Sequence, residues 1–115
     1  MAKNERPDLL APSTATTIYT ATLESRGRVL RWKQISFLEA VQERLASRNI
    51  VVCDGAESEN RKLVQQIESA VGPYIRQSPH ASAGLFALPH FQQKQAPSTG
   101  HSFYETDRRK AARNP

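Results

Sequence analysis

The run Ile50-Val51-Val52-Cys53 limits the possible folds of this chain more than any other feature. Four consecutive apolar residues suit a strand covered on both faces. Asn49 precedes it, the turn pair Asp54-Gly55 ends it, and a helical pattern lies on each side.

The first helical pattern opens on Ser36-Phe37-Leu38-Glu39. This fits a capping box, with Ser36 at the N-cap and Glu39 at N3, each satisfying a free backbone N–H of the other. Leu38, Val41 and Leu45 then fall at i, i+3 and i+7 and are expected to form the inward face. Gln42, Glu43 and Arg44 are left for solvent, and the helix is expected to end near Ser47–Asn49. The second helix is expected to start near Ala56–Ser58 and run to Val71, with Leu63, Ile67, Ala70 and Val71 as its apolar stripe. Glu57 and Glu59 sit in its first turn, where the helix dipole favours them. Gly72 occupies the C′ position and Pro73 forbids continuation.

Residues 1–15 contain Pro7, Pro12 and small polar residues, and read as a flexible tail. Residues 16–23, TTIYTATL, have the β-branched and aromatic content of a strand. Glu24-Ser25-Arg26-Gly27 then reads as a turn, with Gly27 able to take a positive φ. Residues 28–32, RVLRW, return as the second strand of a hairpin. Beyond Pro73 the remaining strand candidates are Tyr74-Ile75-Arg76, residues 84–88 (GLFAL) and residues 101–105 (HSFYE). Leu85, Phe86, Leu88, Phe91, Phe103 and Tyr104 argue for packing rather than disorder in this long connection. Strand alternation would turn Phe103 inward and Tyr104 outward. Residues 106–115 read as a basic tail. The expected architecture is one small α+β domain over residues 16–105. It has an N-terminal hairpin, two helices flanking a buried strand, and C-terminal strands completing one sheet.

Composition narrows the partners. No run approaches the roughly 18 apolar residues needed to cross a membrane. The N-terminal residues lack the apolar core of a secretory signal. Cys53 is the single cysteine and cannot form an internal disulfide, which fits a reducing compartment such as the cytoplasm. Net charge is +5, and residues 73–115 carry six basic and two acidic side chains. A polyanion, with phosphate the commonest candidate, would be drawn to that end. The plain alternative is a solvated basic surface.

All three histidines of the chain, His80, His90 and His101, fall in this basic third. Pro79 and Pro89 precede the first two and limit backbone freedom there. RNA cleavage through the substrate's own 2′-hydroxyl needs a base, an acid and positive charge or hydrogen bonds at phosphorus. Histidine suits the first two tasks, because its pKa lies near neutrality. His90 and His101 are the expected acid–base pair, with His80 in reserve. Tyr104 and Arg76 are the expected phosphate-facing support, and Lys94, Arg108 and Arg109 the further substrate contacts. This chemistry requires no metal or other cofactor.

Three other readings compete. The histidines can be ordinary structural residues. They can ligate zinc, with Glu105 or Cys53 completing the set, although their spacing lacks the short i, i+4 separation of helical ligands. Finally, Phe91, Phe103 and Tyr104 among Arg and Lys can stack bases without any chemistry. Cys53 reads as a small buried hydrophobe rather than a nucleophile.

The order Val51-Val52-Cys53, Asn60, then residues 67–74 (IESAVGPY), 79–84 (PHASAG), 87–92 (ALPHFQ) and 100–105 (GHSFYE) resembles the C-terminal toxin (effector) domains of bacterial polymorphic toxin systems. The resemblance spans roughly residues 37–105. It implies a compact α+β ribonuclease that acts on RNA in a competitor's cytoplasm and is matched by a cognate immunity protein. It carries over to Pro89-His90-Phe91 and to residues 100–105. A chain starting with methionine and without a long delivery region would fit an excised or free-standing domain of this type. The alternative function is a non-enzymatic nucleic-acid-binding or secretion-system interaction module.

Overall fold

The computed structural model describes residues 16–77, 87–94 and 99–113. Among the described residues seven strands form one mixed sheet, with two α-helices packed against it. The strands are β1 (Thr17–Leu23), β2 (Val29–Ile35), β3 (Ile50–Cys53), β4 (Tyr74–Gln77), β5 (His90–Gln93), β6 (Ser102–Tyr104) and β7 (Ala112–Arg113). The helices are α1 (Phe37–Leu45) and α2 (Glu57–Val71). Strand order is β4-β5-β6-β3-β1-β2-β7. The N-terminal hairpin pairs β1 with β2, β1 then pairs antiparallel with β3, and β3 runs parallel to β6. None of the helices among the described residues is long and apolar enough to cross a membrane.

The Ile50–Cys53 run is the central strand, and all four of its residues are fully buried. Its alternation serves two cores. Ile50 and Val52 face the helices, with Ile18, Phe91 and Tyr104 beside them and Ala40, Val64 and Ile67 above. Val51 and Cys53 face the other way, into a second cluster with Val29, Phe103, Leu88 and Ala111. Each fully buried Val, Leu or Ile contributes about 1.5–3 kcal/mol by leaving water.

Both helices start where expected. The Ser36 N–H donates to Glu39 Oε1 at 2.9 Å, and the Glu39 N–H donates to Ser36 Oγ at 3.1 Å. These bonds hold the Glu39 carboxyl below its ordinary pKa. Gly27 takes φ 79° in the hairpin turn. Gly72 ends α2 in extended rather than left-handed backbone. A Cβ there would lie 2.5 Å from Gln93 Oε1, so a side chain at this position would displace the Gln93 amide.

The inward faces differ from the sequence expectation. Leu38 and Leu45 are 72% and 60% exposed, and Arg44, expected in solvent, is 0% exposed. The buried positions of α1 are Ala40 and Arg44, with Val41 at the flank. On α2 the buried residues are Asn60, Val64, Ile67 and Glu68, whereas Ala70 is exposed. The reason is electrostatic. A fully buried guanidinium and a fully buried carboxylate form an ion pair between the two helices, and that pair sets their rotation.

The C-terminal third differs too. The strand after the long connection is His90–Gln93, and within the expected GLFAL strand only Ala87 and Leu88 are described. Ala87 bridges Arg28. Tyr104, expected to face outward, is fully buried, because both sheet faces are covered. The segment expected as a basic tail packs back as far as Arg113. Ala111 and Ala112 are buried, and β7 runs parallel to β2. Glu105 anchors that return. Its two carboxylate oxygens accept from the Asp54 N–H at 3.0 Å and the Ala111 N–H at 2.9 Å.

Candidate active site: a histidine pair on the face opposite the helices

β5 and β6 pair antiparallel with His90 opposite Phe103. Residues two apart on a strand share a face, so His101 lies on the same face as Phe103. The two imidazoles meet there, with ring centroids 4.4 Å apart and planes at 75°. Phe103 packs against both, at 5.2 Å from His90 and 5.3 Å from His101. His90 and His101 are separated by eleven sequence positions, and pairing two short strands brings them into contact.

The hydrogen bonds of the pair are asymmetric. His90 Nε2 lies 2.9 Å from Gln92 Oε1. With that oxygen as acceptor, the neutral His90 ring carries its hydrogen on Nε2 and its lone pair on Nδ1. The Nδ1 atoms of both rings are buried and have no hydrogen-bond partner among the described residues. Burial lowers the pKa of His90, opposed by the Gln92 hydrogen bond and the Leu88 backbone. Burial also lowers His101, with help from the neighbouring His90 and from Arg44, to about 4. Two imidazoles this close resist holding two protons at once.

The buried ion pair lies behind the β6 end of this site. Arg44 Nε donates to Glu68 Oε2 at 2.7 Å and to Ser102 Oγ at 3.1 Å, and Ser102 Oγ donates to Glu68 Oε2 at 2.5 Å. Gln93 Nε2 donates to Glu68 Oε1 at 2.9 Å. The Arg44 Nη groups reach the carbonyls of Arg48, Thr99 and Gly100 at 2.8–3.1 Å. Arg44 thus clamps the turn that leads into His101. Asn49 Oδ1 accepts from the His101 N–H at 2.8 Å, and Ser47 Oγ accepts from the Thr99 N–H at 2.9 Å. Gly100 has φ 86°, and a Cβ there would come within 2.8 Å of Arg44 Nη1. His101 is therefore held through its backbone while its ring stays on the opposite face.

The other expected site residues lie elsewhere. His80 falls outside the described residues. Tyr104 belongs to the helix-side core, and its hydroxyl accepts from Arg76 Nε at 3.2 Å. Tyr104 and Arg76 are therefore across the sheet from the histidine rings. Arg76, Arg108 and Arg109 line one cleft, together with Glu57 at the start of α2 and Pro89. Lys94 is exposed at the end of β5 and does not line that cleft. Among the described residues no group of three or more His, Cys, Asp and Glu side chains is placed to hold a metal ion. Burial pushes the Cys53 thiol up to about 12, which leaves it unreactive.

The sequence reading missed Arg44, Glu68, Ser102 and Gln92. Gln92 was within reach of it, because it follows His90 by two positions and shares its face once residues 90–93 are a strand. Arg44 and Glu68 gave no such signal, since charged residues on a helix ordinarily face water. Searches against protein-family models, curated proteins and solved structures find no match for the chain.

Proposed function

We propose that this chain is a metal-independent ribonuclease of the polymorphic-toxin type, with His90 and His101 as its acid–base pair. The observation that carries this reading is the 4.4 Å approach of the two imidazoles, each with an unpartnered Nδ1. In the reaction one neutral imidazole takes the proton of the 2′-hydroxyl. The 2′-oxygen attacks phosphorus, the bond to the 5′-oxygen breaks, and the second, protonated imidazole gives that oxygen its proton. The products are a 2′,3′-cyclic phosphate and a free 5′-hydroxyl. His101 is assigned as the base, because its lower pKa keeps it neutral. His90 is assigned as the acid: burial lowers its pKa too, but the Gln92 hydrogen bond opposes that lowering, and His101 has no such bond among the described residues. The pair then holds one proton in the window between its two titration steps, which supports a bell-shaped rate profile on the acidic side of neutrality. The proposed partners are RNA and a cognate immunity protein, and the proposed place of action is the cytoplasm.

A second reading, a non-enzymatic nucleic-acid-binding or secretion-system interaction module, is favoured by two observations. Both Nδ1 atoms are buried, and neither His90 nor His101 lines the arginine cleft. The two readings separate in one experiment. Purified protein is incubated with total and structured RNA across pH 4–8, alongside His90→Gln and His101→Gln. The ribonuclease reading expects each variant to lose at least about a hundredfold in rate while melting near the parent temperature. Intact RNA in the parent reaction, or full activity in both variants, rejects it in favour of the binding module.

A further inference from the structure

We propose that the cleft at the start of α2 is a phosphate-binding site, separate from the histidine pair and independent of whether that pair is catalytic. The cleft is open to solvent, encloses about 330 Å³, and is lined by Glu57, Arg76, Pro89 and Thr106–Arg109. Four separate parts of the chain converge there: the first turn of α2, β4, the residue before β5 and the loop after β6.

Three guanidinium groups share this space, and two of them are held in place. Arg76 Nε donates to the hydroxyl of the fully buried Tyr104. That bond fixes the plane of the fork, and the two Nη groups have no partner among the described residues. A planar fork with free Nη donors suits the bidentate acceptor geometry of a phosphate. Arg109 Nη1 donates to the Ala87 carbonyl at 3.0 Å, and the Thr106 Oγ1 accepts from the Arg109 N–H at 2.9 Å. Arg108 is exposed, and its side chain has no partner among the described residues. The start of the 15-residue helix α2 adds partial positive charge, because its N-cap, Ala56, offers no side-chain acceptor to the free N–H groups.

Two carboxylates also line the cleft. Glu57 is occupied by the Asp107 N–H at 3.1 Å, and Asp107 is exposed. Three arginines against two carboxylates leave a positive excess, so the site suits a phosphate of moderate affinity. Among the described residues Pro89 is the sole apolar side chain of the lining, and none of the lining residues is aromatic. The described contacts therefore suit a phosphate and its sugar rather than a base. Such a ligand is a backbone phosphate of a nucleic acid or a free phosphomonoester, which present the same chemistry.

The test is a titration of the full chain, followed by amide NMR, with inorganic phosphate, adenosine monophosphate and a short single-stranded oligoribonucleotide at low salt. The proposal expects saturable shifts at Glu57, Arg76 and Thr106–Arg109. Arg76→Ala and Arg108→Ala should each weaken binding by about tenfold, the size of one lost charge-assisted contact. Glu57→Gln should tighten it. Lys94→Ala, which removes a cation outside the cleft, should leave it unchanged. Tighter binding of the oligonucleotide than of the small ions identifies the backbone as the source, and equal binding identifies a free phosphate group. The absence of a saturable shift with all three ligands, or equal weakening by Lys94→Ala and Arg76→Ala, overturns the proposal. Because the readout is binding, a failed cleavage assay leaves it standing.

Discussion

Glu68→Ala tests how the histidine face is held from behind. The Glu68 carboxylate accepts from Arg44 Nε, Ser102 Oγ and Gln93 Nε2, and both Glu68 and Arg44 are fully buried. Truncation leaves a buried guanidinium without its counter-ion. Removing one partner of a buried pair costs about 3–5 kcal/mol, out of about 5–15 kcal/mol for a domain of this size. At about 4 °C per kcal/mol the melting temperature should fall by about 12–20 °C. Arg44 also holds the Thr99 and Gly100 carbonyls, so the amide signals of residues 99–101 should move even where the variant stays folded. The measurement is urea unfolding at neutral pH, with Arg44→Met/Glu68→Leu as the companion variant. Replacing both charges with apolar side chains should recover most of the loss, because neither ion then needs solvating. A cost below about 1 kcal/mol for Glu68→Ala, or no recovery in the double variant, would refute the claim that a desolvated charge pair sets the helix rotation.

Two further outcomes follow from the same geometry. Gly100→Ala forces a side chain onto φ 86° and to within 2.9 Å of the Ser47 carbonyl. It should cost about 1–3 kcal/mol in urea unfolding, and an unchanged midpoint would contradict the clamped turn. His101 titrates at about 4 in the folded chain, below its ordinary 6.5. The unfolded chain therefore binds more protons between these values, and stability falls as pH drops from about 6.5 to about 4. The full difference is worth about 3 kcal/mol; partial solvation of the ring reduces that to about 1–2 kcal/mol. Urea midpoints measured at both ends of the window should show this slope in the parent and a shallower one in His101→Gln. Equal slopes would show that the ring titrates normally.

The helix starts, the capping box at Ser36 and Glu39, the buried strand at Ile50–Cys53 and the hairpin turn at Gly27 were all legible in the chain. Each depends on residues within about four positions, where backbone sterics and local hydrogen bonds decide. Strand β5 was less legible, because His90-Phe91-Gln92-Gln93 has one apolar residue and reads as a loop until β4 and β6 flank it. The short return at Ala112–Arg113 was hidden by the charge of its neighbours, since two buried alanines leave little hydrophobic pattern.

For the candidate site, the sequence marked His90 and His101, and the fold joined their rings. The sequence also marked Arg76, Arg108 and Arg109, and the fold gathered them in one cleft that neither histidine lines. Strand alternation puts Arg76 and Tyr104 across the sheet from the rings. His90 and Phe103 share one face, while Phe91 and Tyr104 share the other.

By itself the sequence determined where the elements begin, which strand is central and which third of the chain carries the imidazoles and the positive charge. Tertiary structure alone decided which way α1 turns. Leu38 and Leu45 are the greasier choice for the interior, yet Arg44 points inward, because its acceptors come from Glu68, 24 positions away, and from the turn before Ser102, 58 positions away. A local periodicity has no access to partners at that distance. Once buried, the guanidinium has to be satisfied by them, so the rotation of α1 is fixed by contacts that its own sequence does not contain.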